Sequence, residues 1–322
     1  MRISGKVAGI LASFLFAALA GAQTYPAKPV KVIVPWPPGQ ATDIAARLMA
    51  QKLQEALGQP FVVENKPGAG GAIGTDAAAK SAADGYTLLA ASSGPVSIMP
   101  SLQKIPYDPV KDLVLLGVVA QNGYVLVTSP SFPASNTREF IAEVKAHPDK
   151  YTFASSGTGA TAHLFGELFN YTAGLKARHV PYKGTAPAIT DVINGQVTYM
   201  METVAATQTQ VKAGRLKAFA ISTLHRSAAL PDVPTVAEST DMKDFDAAAW
   251  IGYATATGTP QPVVQRLSGE MQKIMASKEM RDRLLNLGLD PANIAPGELP
   301  AFLQREQERY AQIVKAANVR IE

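Results

Sequence analysis

Two short stretches rich in glycine and hydroxyl groups are the parts of this sequence best suited to chemistry, and that chemistry is anion binding. Residues 35–43 (PWPPGQATD) and residues 155–161 (SSGTGAT) each follow an apolar run and precede a helical pattern. A helix start presents unpaired backbone N–H groups and about half a positive charge. Such a turn can therefore hold a carboxylate without help from a cation. For residues 35–43, an ordinary capped turn is the alternative interpretation.

Further candidate contacts lie around these two stretches. Trp36 and Trp250 could each stack on a planar ligand or be core residues, and ligand contact is favoured for Trp36 and the core for Trp250. Glu202 ends a predicted strand, where it could meet a cationic or hydroxyl group or be a solvated rim charge. His163 could line a cleft or satisfy a buried hydrogen bond, and Tyr182 could form a cleft wall. The predicted ligand-binding residues are Trp36, Pro38, Gly39, Gln40, Ala41, Thr42, Asp43, Ser92, Ser93, Ser155, Ser156, Gly157, Thr158, Gly159, Thr161, His163, Tyr182 and Glu202.

Composition and spacing disfavour several other kinds of site. The chain has no cysteine, which excludes disulfides, thiolate metal sites and cysteine nucleophiles. Its four histidines lack the close spacing of metal ligands, so neither a metal nor a cofactor is predicted. The G-x-S-x-G pattern is absent, and residues 68–74 (GAGGAIG) lack the G-x-G-x-x-G spacing of a dinucleotide site. The basic residues are scattered, so nucleic-acid binding is not expected despite a net charge of +4.

The elements that must position these residues alternate between strands and helices. Short apolar runs such as VKVIVPW and YTLLAAS are separated by longer amphipathic patterns such as ATDIAARLMAQKLQEALG. This alternation is typical of βαβ units and a mainly parallel sheet, and it passes through two cycles. The predicted class is therefore α/β, with two lobes and a central cleft. The predicted division is lobe 1 over residues 23–123, lobe 2 over residues 124–230, and a return to lobe 1 with C-terminal helices over residues 231–322.

The N-terminus has the layout of a secretory signal. Arg2 and Lys6 precede the apolar run VAGILASFLFAALA, and the small residues of Ala20-Gly21-Ala22 follow it. The run is short for a membrane span, which takes about 20 apolar residues. We therefore expect residues 1–22 to be a signal peptide cleaved after Ala22, with no stable membrane insertion afterwards. A permanent N-terminal anchor is the alternative.

At these residues the sequence resembles a known family. The stretches TYPAKPVKVIVPWPPG, GQPFVVENKPGAGGAIG, DGYTLLAA, YDPVKDL, HVPYKGTAPAITDVINGQV and LPDVPTVAE are similar to those of the Bug family, the extracytoplasmic receptors of tripartite tricarboxylate transporters. The resemblance implies a periplasmic-binding-protein fold with a hinged cleft, a carboxylate ligand and a membrane permease as partner. It also implies that residues 38–43 and 155–161 hold one carboxylate. Gln40 replaces the second glycine of the usual PGG turn, which leaves the ligand's identity open.

The favoured function is therefore a periplasmic receptor that closes over a small carboxylate. An aromatic or elongated dicarboxylate is the favoured ligand, because Trp36 offers a flat wall. A sensor subunit that presents its closed form to a membrane kinase would have the same sequence features. An enzyme such as a hydrolase is disfavoured, since Ser156 and His163 are the only nearby candidates for a nucleophile and base.

Overall fold

The computed structural model describes residues 25–148, 150–316 and 319 of the 322-residue chain. The expected signal peptide, residues 1–22, lies outside the described residues. Within the described part, no helix has the length and apolar character that a membrane crossing requires.

The first lobe starts as a parallel sheet flanked by helices. Strand β1 pairs in parallel with both β2 and β3. The elements are β1 (Val30–Val34), α1 (Ala41–Leu57), β2 (Phe61–Asn65), α2 (Ala72–Ala79), β3 (Thr87–Ser92) and α3 (Met99–Leu102). The apolar stripe of α1 packs on this sheet, where Ala45, Met49 and Leu53 are fully buried. Gly58 ends α1 in the left-handed conformation that glycine adopts without strain.

One long strand belongs to both lobes. Strand β4 (Leu113–Thr128) pairs antiparallel with β9 (Ala248–Ala256) as far as Gly123. From Tyr124 onward it pairs antiparallel with β7 (Tyr199–Thr203) and β8 (Lys217–Ile221) of the second lobe. Strand β9 also pairs antiparallel with β3, and the short β10 (Asp290–Pro291) adds to β4. The ten strands thus form one continuous sheet in which parallel pairs flank an antiparallel centre.

The second lobe repeats the parallel arrangement around β5. This strand pairs in parallel with β6 on one side and β7 on the other. The elements are α4 (Thr137–Ala146), β5 (Thr152–Ser155), α5 (Thr161–Ala173), β6 (Arg178–Pro181), α6 (Thr185–Ile193), β7 (Tyr199–Thr203), α7 (Val204–Lys212) and β8 (Lys217–Ile221). Its core holds packed aromatic rings, in which Tyr199 stacks on Phe153 and meets Phe140 edge to face.

The chain crosses between the lobes at two adjacent places. The first crossing is within β4, and the second follows α8 (Val236–Ser239), which packs on α4 and β8. At the crossing, Ser222 N donates to Tyr124 O at 2.8 Å, and Ala247 N donates to Ser222 O at 2.8 Å. The Ser222 hydroxyl accepts from Tyr124 N and donates to Ala247 O, so one side chain joins both crossing segments.

The C-terminal helices lie on the first lobe. They are α9 (Gln261–Ala276), α10 (Lys278–Asn286) and α11 (Leu299–Ala316). Helix α9 contacts α1 and β4, and α11 contacts β4 and α3. Tyr310 of α11 is fully buried, and its hydroxyl donates to Ala248 O at 2.8 Å.

The α/β class is confirmed, but the expectation of a mainly parallel sheet is wrong. The centre of the sheet is antiparallel, because it is formed by β9 and the first half of β4, which pair outside the βαβ units. The segment expected to return to lobe 1 from residue 231 contacts the second lobe as far as α8.

Candidate ligand-binding site

A polar cavity lies between the lobes, where the N-termini of α1 and α5 meet. The volume that the centres of water molecules can occupy in this cavity is about 30 Å³, so the cavity is a narrow slot. The first lobe, β4 and β9 contribute Trp36, Gln40, Ala41, Thr42, Ser92, Ser93, Asn122, Ala249, Trp250 and Ile251. The second lobe and its end of β4 contribute Tyr124, Ser156, Ala160, Thr161, Glu202 and Thr203.

The two helix starts at this cavity are uncapped. Gln40 and Ala160 are the N-cap residues of α1 and α5, and neither side chain makes a capping hydrogen bond. The first-turn N–H groups of a helix have no intrahelical acceptor. Two helices from opposite lobes therefore present free donors, and the positive ends of their dipoles, to one small space.

Three further polar atoms at the cavity have no hydrogen-bond partner in the described part of the chain. They are Gln40 Nε2, Asn122 Oδ1 and Thr203 Oγ1. Gln40 is 8% exposed and Asn122 is 2% exposed. Buried polar groups in proteins are nearly always paired, because an unpaired one costs about 1–3 kcal/mol. These side chains therefore offer unused groups to a guest, among them a donor from Gln40 and an acceptor from Asn122.

The lining residues include one carboxyl group and no lysine, arginine or histidine. Glu202 accepts from Thr185 Oγ1 at 2.9 Å and from Thr203 N at 2.8 Å. Burial raises the pKa of Glu202 above its ordinary value, although these hydrogen bonds oppose the rise. Burial and the neighbouring Glu202 also raise the pKa of Tyr124. A negative charge on Glu202 is therefore less favourable at this wall than it would be in water.

A wider and more apolar groove adjoins the slot and shares Trp36 and Ser156 with it. By the same measure its volume is about 470 Å³. Its walls are the backbone of the glycine-rich run at residues 67–71, the loop at residues 156–158, and Tyr182, Lys183 and Gly184. The two sites together form an elongated space with a polar inner end.

The first-lobe loop is held in shape by Asp43. Its carboxylate accepts from Gly39 N at 3.0 Å, from Asn65 Nδ2 at 2.8 Å and from Arg47 Nε at 3.0 Å. Asn65 Nδ2 also donates to Trp36 O at 2.9 Å. Burial alone would raise the pKa of Asp43, but the hydrogen bonds from Arg47, Gly39 and Asn65 leave it below its usual value. Asp43 therefore points at its own loop and not at the cavity.

The structure brings about half of the predicted site residues to the polar cavity. These are Trp36, Gln40, Ala41, Thr42, Ser92, Ser93, Ser156, Thr161 and Glu202. Gly157, Thr158 and Tyr182 line the outer groove, whereas Pro38 and Gly39 lie at a separate groove beside α6. Asp43, Ser155, Gly159 and His163 lie behind the walls and line neither space.

The ring of Trp36 forms a wall of the cavity, and a hydrogen bond and close packing hold it in place. Its Nε1 donates to Ser92 Oγ at 2.9 Å. A Cβ added to Gly94 would lie 2.9 Å from the Trp36 ring, so that glycine allows the ring to lie flat against the chain. Trp36 is 7% exposed and contacts both the slot and the groove.

One serine–histidine pair has the spacing of a nucleophile and a base, but its surroundings do not suit catalysis. Ser155 Oγ lies 2.7 Å from His179 Nε2. Ser155 is fully buried, and its hydroxyl is also within hydrogen-bond distance of Gly157 N and Gly157 O. The cavity-lining Ser156 makes no hydrogen bond to His163, whose Nδ1 accepts from Gly159 N at 3.3 Å. Among the described residues, no three histidine or acidic side chains come together as a metal site would require.

Sequence reasoning missed the cavity residues contributed by the long antiparallel strands. They are Asn122, Tyr124, Ala249 and Ile251, together with Trp250, for which a core position was favoured. A signal for them exists, since Gln121-Asn122-Gly123 is a polar interruption within the apolar run from Leu113 to Thr128. That interruption marks the point at which β4 passes from one lobe to the other.

Comparison with known proteins decides the family. The family model described as tripartite tricarboxylate transporter family receptor matches residues 45–319. This chain belongs to that receptor family. Protein BugT of Bordetella pertussis is 38% identical over 99% of this chain and 98% of its own length.

Solved receptors share the fold of this receptor closely. The periplasmic binding protein BugD is 36% identical, with a TM-score of 0.86 over 92% of this chain and 100% of its own. An R. palustris protein solved with adipate is 29% identical, with a TM-score of 0.88 over 92% of this chain and 99% of its own. The predicted periplasmic-binding-protein fold, with two α/β lobes around a cleft, is therefore confirmed. The family's role is solute binding, which the resemblance had implied.

Proposed function

We propose that this receptor encloses a small carboxylate between its lobes and delivers it to the membrane permease of a tripartite transporter. One carboxylate group of the ligand lies in the polar slot, between the starts of α1 and α5. The body of the ligand extends past Trp36 into the outer groove. The receptor changes its shape on binding and leaves the ligand chemically unchanged.

The observation that carries this proposal is the pair of uncapped helix starts at one cavity. The N-termini of α1 and α5 come from opposite lobes, and the cavity has no cationic side chain among its lining residues. Free N–H groups in a space that excludes water form strong hydrogen bonds with an anion. Because each helix start belongs to a different lobe, the anion gains both sets of contacts only when the lobes are together.

The shape of the space supports an elongated ligand. The slot is too narrow for more than a carboxylate and its nearest atoms, whereas the groove beyond Trp36 is more than ten times larger. Lys183 is exposed on the groove wall and could pair with a second carboxylate. The solved relative with adipate, a linear dicarboxylate, fits the same picture. We therefore propose dicarboxylates with an extended or aromatic body as the ligand class.

The setting of this function is the periplasm. We propose that residues 1–22 direct export and are removed after Ala22, as their n-region, apolar run and small-residue site indicate. Sequencing the N-terminus of the exported protein tests this step. A mature chain that still begins at Met1 would contradict it.

A ligand panel tests the receptor proposal directly. Thermal shift and titration calorimetry would be measured with adipate, terephthalate, nicotinate, malate, citrate and glutamate, and with 1,6-hexanediol as an uncharged match for adipate. A ligand that binds only the folded state raises its melting temperature. We expect the largest shift from a dicarboxylate with an extended or aromatic body and none from hexanediol. Equal shifts from adipate and hexanediol would rule out carboxylate recognition.

The same samples separate binding from catalysis. NMR spectra of the best ligand, recorded before and after prolonged incubation with the receptor, should be identical. Conversion of the ligand, lost in a Ser156→Ala variant, would favour an enzyme instead. Exclusive binding of citrate would preserve the receptor but contradict the elongated ligand class.

A further inference from the structure

Two stacked imidazoles lie directly behind the second-lobe loop, outside the cavity. His163 on α5 and His179 on β6 have ring centroids 3.9 Å apart and planes within 13° of parallel. Phe153 of β5 packs beside this pair, with its ring 4.9 Å from the His179 ring and 6.4 Å from the His163 ring. His163 is 4% exposed, and His179 is partly buried. The neighbouring titratable groups are Glu167 on α5, whose Oε1 lies 3.7 Å from His163 Nε2, and Tyr199 on β7.

Both imidazoles are bonded to the loop that forms the second-lobe wall. His163 Nδ1 accepts from Gly159 N at 3.3 Å. His179 Nε2 lies 2.7 Å from Ser155 Oγ, which lies 3.2 Å from Gly157 N and 3.1 Å from Gly157 O. Gly157 and Gly159 both have positive φ values, of 145° and 75°, so their backbone conformations are ones that need support. The pair therefore contacts the loop at its two glycines.

The proton positions follow from the count of donors and acceptors. A serine hydroxyl has one proton and two acceptor sites. All three contacts of Ser155 are satisfied together only if its hydroxyl donates to Gly157 O and accepts from both Gly157 N and His179 Nε2. His179 then carries a proton on Nε2, and because burial lowers its pKa to about 3 it carries no second proton at neutral pH. His163 must also be protonated only on Nε2, because its Nδ1 accepts from Gly159 N.

We propose that His163 and His179 are positioning residues, which as neutral Nε2–H imidazoles fix Gly157 and Gly159 and thereby hold the start of α5 toward the ligand. The loop geometry stands by itself, and its use for carboxylate binding rests on the proposed function. In this respect the pair is the second-lobe counterpart of Asp43, which holds the first-lobe loop through Gly39. Neither histidine contacts the ligand.

The test uses ligand-free protein. Its outcome therefore does not depend on whether the receptor binds a carboxylate. Nitrogen-15 NMR at neutral pH reports which imidazole nitrogen carries the proton. Hydrogen exchange reports how firmly the Gly157 and Gly159 amides are held. We expect Nε2–H signals from both rings and slow exchange at both amides. An Nδ1–H signal from either ring would overturn the proposal.

Matched variants distinguish the effect of the histidines' hydrogen bonds from the effect of the space that their rings fill. The amide of Gln can replace a donor at the Nε2 position, and the oxygen of Asn can replace an acceptor at Nδ1. We therefore expect His179→Gln and His163→Asn to keep slow exchange at Gly157 and Gly159. His179→Leu and His163→Leu, which fill space without hydrogen bonds, should speed exchange at these amides at least tenfold, with Val125 in the core as an unchanged reference. Equal exchange rates in the Leu variants and the native protein would also overturn the proposal. The proton positions in the native protein decide the matter if the Leu variants do not fold.

Discussion

Gln40 of the first lobe and Glu202 of the second lobe both line the slot, and they offer different hydrogen-bonding groups. Gln40 offers an unpaired donor from the start of α1. Glu202 is a buried carboxyl group whose pKa is raised, mainly by burial. An anionic ligand gains from the first and tolerates the second only when Glu202 is protonated. Isosteric exchanges of amide and acid at these two positions therefore test the electrostatics of the slot.

Gln40→Glu should weaken carboxylate binding at least tenfold, or about 1.4 kcal/mol. The change replaces a donor with a negative charge in a space that has no cationic side chain to offset it. Titration calorimetry with the tightest ligand of the panel measures the effect. Gln54→Glu, on the exposed side of the same helix, adds the same charge away from the slot and is the control. Equal affinities in the two variants would contradict a role for Gln40 at the ligand.

Glu202→Gln should stabilise the receptor at pH 8 by about 1 kcal/mol and have little effect near pH 4. Because the folded-state pKa is raised, the stability that Glu202 contributes is complete below its unfolded value of 4.5 and is lost as the pH rises through its folded value. Gln keeps the uncharged form at every pH. Melting temperatures across this range measure the effect.

The exposed Glu308→Gln is the control for this pH series, since it removes a carboxyl group that is already solvated. It should leave the pH dependence of the melting temperature unchanged. If Glu202→Gln behaves in the same way, Glu202 is ionised in the folded protein. A ligand with an ammonium group would then become the better candidate for this wall.

Residues that line the site could be predicted from the sequence where a strand leads directly into a helix. Lining residues in other parts of the chain could not be predicted. Gln40, Ser156 and Thr161 lie at such turns, and all three line the cavity. His163 and Ser155 lie in the same turns, but their side chains point backward and hold the loop. The direction of a side chain in a loop depends on the partners that tertiary packing provides, and a sequence pattern does not contain them.

At the scale of elements, the lobes approach each other through glycines. A Cβ at Gly159 would lie 2.8 Å from Met99 Sδ, and a Cβ at Gly70 would lie 3.0 Å from the same atom. Met99 follows β3 in the first lobe, whereas Gly159 precedes α5 in the second. The sulfur of Met99 therefore packs in a gap that exists because both glycines lack side chains. This contact across the cleft depends on the lobes being together.

Gly159→Ala should lower ligand affinity several-fold, whereas Gly195→Ala should not. Both glycines belong to the second lobe and have nearly equal φ values, 75° and 72°, so alanine costs a similar strain of about 1–2 kcal/mol at each. A Cβ at Gly195 meets nothing within 4 Å, whereas one at Gly159 displaces Met99. Melting temperature and calorimetry, measured on both variants, separate the shared strain from the loss of lobe contact. Equal losses of affinity would mean that the contact with Met99 is unimportant for binding.

The parallel units of both lobes could be predicted from their alternation of apolar strands and amphipathic helices, because each unit is local in sequence. The antiparallel centre could not be predicted in this way. The paired residues of β4 and β9 are far apart in sequence, from 125 residues at Gly123–Ala248 (248 − 123) to 143 residues at Leu113–Ala256 (256 − 113). No periodic pattern joins segments so distant. As a result, the residues that β4 and β9 bring to the cavity remained unidentified.

At the scale of the whole molecule, Ser222 joins the two crossing segments. Its hydroxyl and backbone bind Tyr124 on one side and Ala247 on the other. We propose that rotation about this crossing opens the cleft while each lobe keeps its own fold. The slot admits little more than a carboxylate in the present arrangement, so on this proposal ligand exchange uses such an opening.

A disulfide across the cleft should stop this motion. A Cβ at position 184 would lie 3.5 Å from Pro37 Cβ, within the range that a disulfide spans. The chain has no cysteine of its own, so a Pro37→Cys/Gly184→Cys double variant contains a single possible pair. Oxidised in the absence of ligand, it should bind the tightest panel ligand at least a hundredfold more slowly than the reduced form. Oxidised after loading, it should retain that ligand through dialysis until a reductant is added.

The two single variants, Pro37→Cys and Gly184→Cys, are the controls for this lock. Each carries the local strain of its substitution, including the positive φ of 119° at residue 184, but neither can join the lobes. Their binding rates should not respond to oxidant or reductant. If the oxidised double variant binds as fast as its reduced form, the ligand reaches its site without separation of the lobes. The enclosing mechanism would then be wrong even if the carboxylate site were right, because the converging helix starts would form a fixed pocket.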